Sequence, residues 1–372
     1  MSSRKRLVLV GGGHAHVEVL RQLAHDPIAG LATCVIADRR HAIYSGMVPG
    51  FAAGQYTASE IEVDVAALAA QAGAEWIEAR ACEIDAEHQR ISLVGHSAVD
   101  YDIGSLDVGS TVAGLDTPGV RAHALASRPI AELVERVNRL RRAPEPNLGL
   151  VVVGGGAAGV ELAFCLRERL RAADGSAPRT RLIEAGPHIL AGASAALRRT
   201  VERAAQRAGI ELRCNARVAA VDAGGVDLVD GARVAGAAVV WVTGAAPHPF
   251  VQQSRLPLDD TGFVRVEPTL AVSERPNLFA VGDCASVPGA AKAGVYAVRQ
   301  GPVLAANLRA LHTKGPLETY TPQRDFLRLL NLGDGSAIAA KWGLALRGDF
   351  ALRWKDRIDR RWMARYAPEP TD

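Results

Sequence analysis

The hydrophobic positions of this chain are gathered in short runs, and several of these runs end in glycine before a helix-compatible segment begins. The clearest examples are residues 7–10 and 148–153, which consist of Leu, Val and a single Gly and lead directly into glycine-rich turns. An apolar run of this length, bounded by turn residues, is typical of a strand buried on both faces of a parallel sheet. The pattern therefore predicts an α/β chain in which parallel strands alternate with helices.

The same succession of elements occurs twice, first in residues 7–115 and again in residues 148–244. In each copy a strand leads to a glycine turn, then to a helix, and then to a second strand that ends in an acidic residue. That residue is Asp38 in the first copy and Glu184 in the second copy. The duplication concerns architecture and not residue identity, and it predicts two Rossmann-like units. The proline-rich segment 143–146 is expected to form the hinge between them.

Periodicity and turn residues place the remaining elements. They comprise a hairpin over 78–94, a buried strand over 101–108, helices over 131–142, 194–208 and 295–311, a closing strand over 239–244 and strand segments between 262 and 284.

Both glycine turns, at residues 11–16 and 154–159, follow a strand and precede a helix. Where side chains are absent, backbone N–H groups and a helix N-terminus can bind a pyrophosphate. The second turn has all three glycines of the Gly-x-Gly-x-x-Gly pattern, whereas His16 replaces the third glycine of the first turn. Asp38 and Glu184 stand where a carboxylate accepts the hydroxyls of an adenosine ribose. The sequence therefore predicts two dinucleotide sites.

Composition narrows the range of partners. The chain has 372 residues and a formal net charge of +3, which provides no basic field for nucleic acid. Its five cysteines are dispersed, without a CxxC pair or a metal-ligand spacing, so we expect reduced thiols and no metal site. The basic N-terminus leads into a strand and not into an apolar signal segment, so we expect a cytoplasmic protein.

The two glycine turns and the segment 282–285, Gly-Asp-Cys-Ala, together resemble the flavoproteins with two dinucleotide-binding domains, the pyridine nucleotide-disulfide oxidoreductase superfamily. Within it, the chain is most similar to type II NADH dehydrogenases and to the NADH-dehydrogenase-like flavoprotein module associated with selenide, water dikinase. Segments 11–16, 44–50 and 354–361 resemble that module. The resemblance implies a glutathione-reductase-like fold that binds FAD and NADH. The expected parts are a first FAD-binding part (1–120), an NAD(H)-binding domain (121–262), a second FAD-binding part (263–319) and a C-terminal acceptor, membrane or dimer segment (320–372).

The resemblance also implies ligands for each cofactor. For FAD they are Gly11, Gly13, His14, Asp38, Arg39, Gly46, Ala81, Ser110, Gly282, Asp283 and Lys292. For NADH they are Gly154, Gly156, Gly159, Glu184 and Gly244. Lys292 and Tyr296 are candidates for the flavin edge, where a cation and a helix N-terminus would stabilise the negative charge of a reduced flavin. A solvated lysine and a tyrosine packed in the core are the alternative interpretations.

The resemblance implies that hydride passes from NADH to flavin N5 and that the electrons go on to an acceptor, with a quinone favoured. Glu184 favours NADH over NADPH because its carboxylate would repel a 2′-phosphate. No cysteine lies between Cys34 and Cys82, where a flavin disulfide reductase carries its redox pair, so that activity is disfavoured. A sulfide or polysulfide reductase, a carrier-protein reductase and a regulatory NADH-binding flavoprotein linked to selenium metabolism remain alternatives.

The C-terminal segment is aromatic and basic, with eight Lys or Arg against three Asp in residues 341–365. Apolar residues recur there at intervals of four, at Trp342, Leu346, Phe350, Trp354, Ile358 and Trp362. A strand is expected before Asp349 and a helix from Trp354 onward. Such a segment suits peripheral contact with the inner face of a membrane, while a homodimer contact and a helix covering the flavin domain are the alternatives. Because neither glycine turn lies there, removal of 354–372 is expected to leave FAD bound.

Overall fold

The computed structural model describes residues 4–142, 149–172 and 174–367. The expected hinge at 143–146 lies outside the described residues, as do residues 1–3. Two parallel sheets form the centre of the described part, and smaller antiparallel sheets accompany them.

The first third of the chain supplies ten strands and three helices. The strands are β1 (Lys5–Val10), β2 (Leu31–Ala37), β3 (His41–Ile43), β4 (Glu62–Asp64), β5 (Glu75–Glu78), β6 (Ala81–Asp85), β7 (Arg90–Leu93), β8 (His96–Asp100), β9 (Ile103–Leu106) and β10 (Thr111–Val112). The helices are α1 (His14–His25), α2 (Val48–Ala53) and α3 (Val65–Gln71), with 3-10 turns at Ser45–Met47 and Ser59–Ile61.

The central third repeats the alternation of strands and helices. The strands are β11 (Ala124–Ala126), β12 (Leu150–Val153), β13 (Thr180–Ile183), β14 (Ile210–Arg213), β15 (Val218–Asp222), β16 (Gly225–Leu228), β17 (Arg233–Ala235), β18 (Ala238–Trp241) and β19 (Ala245–Ala246). The helices are α4 (Val120–His123), α5 (Ile130–Arg142), α6 (Ala157–Arg169) and α7 (Ala195–Ala208).

The last third returns to the first sheet and then forms a C-terminal unit. The strands are β20 (Val264–Arg265), β21 (Ala271–Val272), β22 (Arg275–Ala280), β23 (Ala285–Ser286), β24 (Arg328–Asn331), β25 (Ala337–Lys341) and β26 (Leu344–Gly348). The helices are α8 (Pro249–Gln253), α9 (Gly294–Thr313) and α10 (Asp349–Met363), with 3-10 turns at Gly282–Cys284 and Ala364–Tyr366.

The first parallel sheet has six strands in the order β21-β22-β9-β1-β2-β5. All neighbouring pairs are parallel except β21 with β22. Strands β21 and β22 come from the last third of the chain, so this unit is discontinuous in sequence, as expected. The apolar run of β1 lies at the centre of the sheet, where Leu7, Val8 and Leu9 are completely buried.

The second parallel sheet has five strands in the order β11-β18-β12-β13-β14, and every neighbouring pair is parallel. Its central strand β12 is the second apolar run, and Leu150, Val151 and Val152 are completely buried. Helix α7 begins after Ser194, whose Oγ accepts the N–H of Leu197 at 3.3 Å, and thus satisfies one free donor of the helix N-terminus.

Parallel pairing brings the carboxyl ends of several strands to one edge of each sheet. At this edge of the first sheet, Gly11 follows β1, Asp38 follows β2 and Asp107 follows β9. At the corresponding edge of the second sheet, Gly154 follows β12 and Glu184 follows β13. The topology therefore gathers the glycine turns and the acidic residues of each unit at the same edge.

The predicted hairpin is β6 and β7, which pair antiparallel, and β8 adds a third strand. The predicted helices are α5, α7 and α9, with bounds that differ by at most two residues. In the tail, β26 precedes Asp349 as expected, but α10 begins at Asp349 and not at Trp354. The earlier start buries Ala351 on the same helix face as Lys355 and Asp359, which extends the inward-facing stripe by one turn.

Strands β24, β25 and β26 form an antiparallel sheet that contacts α6 and α7 of the central unit, and α10 packs against this sheet. Among the described residues, no helix combines the length and the apolar character needed to cross a bilayer.

Candidate functional site

A single cavity of about 1500 Å³ lies at the carboxyl edges of both parallel sheets. Most of the residues predicted to bind a cofactor line it. These are Gly11, Gly13, His14, Asp38, Arg39, Gly46, Ala81, Ser110, Gly154, Gly156, Gly159, Glu184, Gly244, Asp283 and Lys292. Gly282 and Tyr296 are not among the lining residues.

The first glycine turn is held by close backbone packing. Gly11 has φ +95°, and a β-carbon there would lie 2.3 Å from the carbonyl oxygen of Asp107, so only glycine fits. His16 stands in place of the third glycine and is completely buried. Its Nδ1 lies 2.7 Å from the Gly11 carbonyl oxygen and its Nε2 lies 2.8 Å from Ser105 Oγ. Burial lowers the pKa of His16 to about 4, so the neutral ring donates to Gly11 and accepts from Ser105.

Asp107 is a residue of the site that was not predicted from the sequence. Its Oδ2 accepts the N–H of Ala15 at 2.8 Å and of His16 at 3.1 Å, so its carboxyl group caps α1. Burial raises the pKa of Asp107 to about 7, the two N–H donors oppose this, and the charge of Asp283 adds to it. Its position at the end of a buried strand, β9, which lies beside β1, is the sequence feature that could have indicated it.

The acid and the cation that follow β2 differ in their surroundings. Asp38 is exposed on the cavity wall, and no described residue donates a hydrogen bond to its carboxylate. The Arg39 guanidinium instead reaches α5, with nitrogen–oxygen distances of 3.8 Å to Glu132 and 3.4 Å to Glu135. Asp38 is therefore free to accept from a ribose, while Arg39 ties this edge of the first unit to α5.

Asp283 is paired within the protein. Its Oδ2 lies 2.8 Å from Nη2 of Arg128, and Nη1 of Arg128 donates to Ser110 Oγ at 2.8 Å. Gly282 has a packing role instead of lining the cavity. Its N–H donates to Gln300 Oε1 at 2.6 Å, and a β-carbon there would lie 2.6 Å from Asp107 Oδ1.

The two flavin-edge candidates lie in different places. Lys292 is on the cavity wall two residues before α9, where its ammonium donates to the Ala285 carbonyl and lies 3.8 Å from the centroid of the Phe263 ring. Burial lowers the pKa of Lys292. Tyr296 is buried outside the cavity, its ring edge meets Phe326, and its hydroxyl donates to the backbone. This arrangement agrees with the alternative of a tyrosine packed in the core.

The second glycine turn is open toward the cavity. A β-carbon on Gly159 would lie 1.8 Å from the Gly154 carbonyl oxygen, so the third glycine lets helix and strand pack closely. No atom lies within 4 Å of the β-carbon positions of Gly156 and Gly244, where a side chain would project into free space. Gly156 also begins α6 without a side-chain cap. The N-terminus of α6 is thus available to an anionic ligand.

Glu184 lies at this second turn and is held by two backbone donors. Its Oε2 accepts the N–H of Gly155 at 2.7 Å, and its Oε1 accepts the N–H of Gly186 at 2.6 Å. Both oxygens keep a lone pair for a further donor, as binding of ribose hydroxyls requires.

The C-terminal helix α10 forms part of the cavity wall, which the sequence did not show. Trp362, Lys355, Asp359 and Ile358 all line the cavity. The Lys355 ammonium donates to the Gly46 carbonyl at 2.6 Å and to Asp359 Oδ2 at 2.8 Å. Burial lowers the pKa of Lys355, but the carboxyl groups of Asp359 and Glu161 outweigh it and the pKa is raised. Helix α10 thus packs over the first unit. A helix covering the flavin domain was one of the alternative interpretations of the C-terminal segment.

Glu161 on α6 faces the same region. It is buried, it lines the cavity, and its Oε1 accepts the N–H of Asn331 at 2.8 Å. Burial raises the pKa of Glu161 to about 7, against the opposing effects of Lys355 and of the Asn331 N–H. At neutral pH this carboxyl group can therefore give up or take a proton.

The residues present fit two dinucleotides. Each sheet offers a glycine turn, a helix N-terminus and an acidic residue on one cavity, and the open positions at Gly109, Gly156 and Gly244 leave room that a β-carbon would fill. Within the described residues, no group of three or more His, Cys, Asp and Glu is placed to hold a metal ion. All five cysteines are unpaired, and Cys34, Cys165 and Cys284 are buried.

Two relatives match most of this chain. It is 26% identical over 377 residues to the demethylphylloquinone reductase NdbB of Synechocystis sp., covering 94% of this chain and 90% of the relative. It is 27% identical over 351 residues to the type II NADH:quinone oxidoreductase Ndh of Mycobacterium tuberculosis, covering 86% of this chain and 74% of the relative.

Solved structures share the fold at low sequence identity. The sulfide:quinone oxidoreductase of Aquifex aeolicus has a TM-score of 0.82 at 18% identity and covers 97% of this chain and 91% of its own. NDH2 of Plasmodium falciparum, solved in complex with NADH, has a TM-score of 0.77 at 12% identity. The match covers 98% of this chain and 97% of that structure.

The family model that matches this chain, over residues 5–301, is described as pyridine nucleotide-disulphide oxidoreductase. The comparisons confirm the predicted superfamily and the α/β fold class with two Rossmann-like units. They also confirm the oxidoreductase interpretation and FAD and NADH as the cofactors. With both glycine turns inside the matched range, the chain belongs to the pyridine nucleotide-disulphide oxidoreductase family.

Proposed function

We propose that this protein is an FAD-dependent NADH:quinone oxidoreductase that works at a membrane surface. The observation that carries the proposal is the single cavity onto which both glycine turns and both acidic strand ends open. Two dinucleotides bound at these turns would share one space, which a direct transfer between them requires. The named quinone reductases among the relatives support a quinone as acceptor.

The residues divide between the two cofactors by the sheet that carries them. We assign FAD to the first turn with Asp38 and Asp283, and NADH to the second turn with Gly156 and Glu184. When bound, FAD supplies the hydride acceptor and carries electrons on to the second substrate. The protein supplies binding and orientation.

Glu184 sets the choice of pyridine nucleotide. Two backbone N–H groups, of Gly155 and Gly186, hold its carboxylate in place, so it cannot readily turn away from an added phosphate. A 2′-phosphate at this position would meet a fixed negative charge. We therefore assign NADH and not NADPH as the physiological reductant.

Glu161 is the proposed proton source for the acceptor. NADH gives two electrons and one proton as hydride, whereas reduction of a quinone to a quinol takes two electrons and two protons. One further proton must be supplied. Glu161 is buried on the cavity wall, its pKa is raised to about 7 mainly by burial, and Lys355 and Asp359 act on it through their charges. The nearby wall includes the apolar residues Leu329, Leu330 and Ile358.

An exposed apolar face suggests how a lipid-soluble acceptor arrives. Its residues, which we call the outer apolar face, are Trp342, Leu344, Leu346, Phe350, Trp354 and Ile358. Ile358 lies both on this face and on the cavity wall. We propose that the outer apolar face lies on the cytoplasmic side of a membrane, with neighbouring arginines toward anionic headgroups, and that a quinone enters beside Ile358.

Anaerobic stopped-flow measurement of both half-reactions tests the function. NADH is expected to reduce the bound flavin, and a menaquinone or ubiquinone analogue is expected to reoxidise it. Polysulfide, selenium compounds and a ferredoxin serve as competing acceptors. Faster reoxidation by one of these would replace the quinone assignment, and fast flavin reduction with slow reoxidation by every acceptor would indicate a regulatory flavoprotein.

A further inference from the structure

Two arginines on the cavity wall carry positive charges that no acidic residue of the described chain neutralises. Arg299 lies on α9, and Arg328 is the first residue of β24. Within the described residues, neither guanidinium donates a hydrogen bond or forms an ion pair, and that of Arg328 lies 4.8 Å from the centroid of the Phe326 ring. Because an arginine keeps its charge at any ordinary pH, two uncompensated cations border the cavity.

The acidic groups nearby are held by other partners. Asp283 and Asp359, which line the cavity, are each paired with another basic residue. Asp325, three residues before Arg328, accepts the backbone N–H of Trp342 at 3.1 Å. The two arginines therefore remain available to an anionic ligand.

An aromatic contact joins the elements that carry these arginines. The edge of the Tyr296 ring on α9 meets Phe326, with ring centroids 5.8 Å apart. Arg299 follows Tyr296 by about one turn of α9, and Arg328 lies over Phe326. Both cations thus border the same part of the wall, and we call Arg299 and Arg328 the arginine pair.

The arginine pair lies where the cavity meets water. Arg299 is exposed although it lines the cavity, and Arg328 is half-buried in the wall, where a small anion fits and the surface of a carrier protein does not. Strand β24 is at the opposite edge of its sheet from β26, which carries Leu344 and Leu346 of the outer apolar face. The pair thus marks an opening toward water, apart from the strand that carries the outer apolar face.

Strand β24 connects this opening with the proposed proton source. Leu329 and Leu330 follow Arg328 and line the cavity. The next residue, Asn331, donates its N–H to Glu161 Oε1 at 2.8 Å. Four consecutive residues of a strand span about 10 Å from the first Cα to the last. An aromatic acceptor beside Glu161 can therefore direct a charged substituent toward Arg328.

We propose that the acceptor site takes an anionic quinone, which carries a carboxylate or a sulfonate on its ring, and that the arginine pair binds this group. The proposal rests on the proposed NADH:quinone oxidoreductase function and names the class of acceptor that enters from water. A planar guanidinium can donate to two oxygens of such a group at once. Electrons and protons balance as before: the quinone takes two electrons and two protons, one proton from the hydride and one from Glu161, and its anionic group is unchanged.

The first test compares naphthoquinone sulfonate with menadione, an uncharged naphthoquinone, as oxidants of the NADH-reduced protein. In the double variant Arg299→Gln, Arg328→Gln, the ratio of kcat/KM for naphthoquinone sulfonate over menadione should fall at least about tenfold. Each variant is compared with the wild type for the same two quinones, so the difference between their reduction potentials cancels. Arg324→Gln is the matched control and should keep the wild-type ratio, because Arg324 is an exposed arginine of the same segment that does not line the cavity.

The second test measures binding without electron transfer. Hydroxynaphthoate is a carboxylated naphthol that is not a quinone and does not accept electrons. In equilibrium dialysis it should bind the FAD-loaded wild type more tightly than uncharged naphthol does, and added salt should reduce this difference. The double Gln variant should lose the difference, whereas Arg299→Lys with Arg328→Lys should keep part of it.

The inference is wrong if the double Gln variant keeps either the wild-type quinone ratio or the wild-type difference in binding. It is also wrong if that variant loses reaction with an acidic ferredoxin while both quinone measurements stay unchanged, since the pair would then bind a carrier protein. Should the double variant not fold, the two single Gln variants decide by the same measurements. If neither quinone reoxidises the reduced wild type, the proposed function fails, and the dialysis experiment still decides whether the arginine pair binds an anion.

Discussion

Trp362 stacks on Tyr44, with ring centroids 4.0 Å apart and ring planes inclined by 14°. His14, the first residue of α1, lies 5.5 Å from each of these rings. All three line the cavity beside the first glycine turn. The C-terminal helix therefore completes the wall of the site that we assign to FAD, and this stacking anchors it there.

The first prediction concerns this anchor and replaces the expectation that loss of the tail leaves FAD bound. Trp362→Ala removes a buried ring and should cost about 3 kcal/mol of unfolding free energy. It should also lower the FAD content of the purified protein, because Tyr44 and His14 lose their packing partner. Removal of residues 354–372 should lower the unfolding free energy and the FAD content further, since it also removes the Tyr366 hydroxyl that donates to Glu18 at 2.7 Å.

Thermal unfolding and flavin content measure these effects, and Trp342→Ala is the control because Trp342 is 77% exposed. That variant should change unfolding free energy by less than about 0.5 kcal/mol. Wild-type FAD content in a folded protein that lacks 354–372 would contradict the role of α10.

The second prediction concerns Glu184 and the choice of cofactor. Glu184→Ala removes the fixed negative charge, so the ratio of kcat/KM for NADPH over NADH should rise at least about tenfold, or about 1.4 kcal/mol. NADH use should itself fall, because the N–H groups of Gly155 and Gly186 lose their acceptor. Steady-state kinetics with both nucleotides measure the ratio, and equal use of NADH and NADPH by the wild type would show that Glu184 does not lie at the ribose.

The third prediction concerns proton supply by Glu161. Because burial raises its pKa to about 7, the carboxyl group loses its proton as the pH rises through that value. The rate of flavin reoxidation by a quinone should therefore fall above about pH 7 in the wild type. In the Glu161→Gln variant, flavin reoxidation by a quinone should be slow at every pH and should not fall further above pH 7. Reduction of the flavin by NADH should stay close to the wild-type rate. A wild-type pH profile retained by the Gln variant would exclude Glu161 as the proton source.

The sequence predicted the parts of the site that depend on neighbouring residues. The turns at Gly11 and Gly154 each follow a strand with a continuous apolar run, and the acids Asp38 and Glu184 each come directly after the next strand of the unit, so local pattern was sufficient. Trp362 was not predicted to lie at the site that we assign to FAD, because its partner Tyr44 is distant in sequence and the pairing depends on how α10 packs. The same limit applies to Arg128, Asp107 and Glu161, whose roles arise from burial and from contacts across elements.

The fourth prediction concerns the buried acid Asp107. Its pKa is raised from 3.8 to about 7 in the folded protein, so between these values the folded state holds a proton that the unfolded state releases. The stabilising contribution is complete below about pH 4 and is lost as the pH rises toward and through about 7. Asp107→Asn keeps an oxygen to accept the N–H groups of Ala15 and His16 and does not ionise. Its unfolding free energy should vary less with pH over this range, as urea denaturation at several pH values would reveal.

The last prediction concerns the outer apolar face. Trp342 and Trp354 are 77% and 48% exposed, and their transfer to a bilayer surface would remove a large apolar area from water. Replacing both by Ser should weaken binding to vesicles that contain anionic lipid and should slow the reaction with long-chain quinones. The reaction with a short, water-soluble quinone should change little, because Glu161 and the cavity wall beyond this face are untouched.

Sedimentation with vesicles and comparison of the two quinones measure these effects, and Val229→Ser, an exposed apolar residue outside this face, is the control. A homodimer that uses the same face would behave differently. The double variant would then shift from dimer to monomer in analytical ultracentrifugation, while the wild type would show no affinity for vesicles. Such a result would assign the face to a second copy of the chain, since burial against a protein and burial in a membrane compete for the same exposed tryptophans.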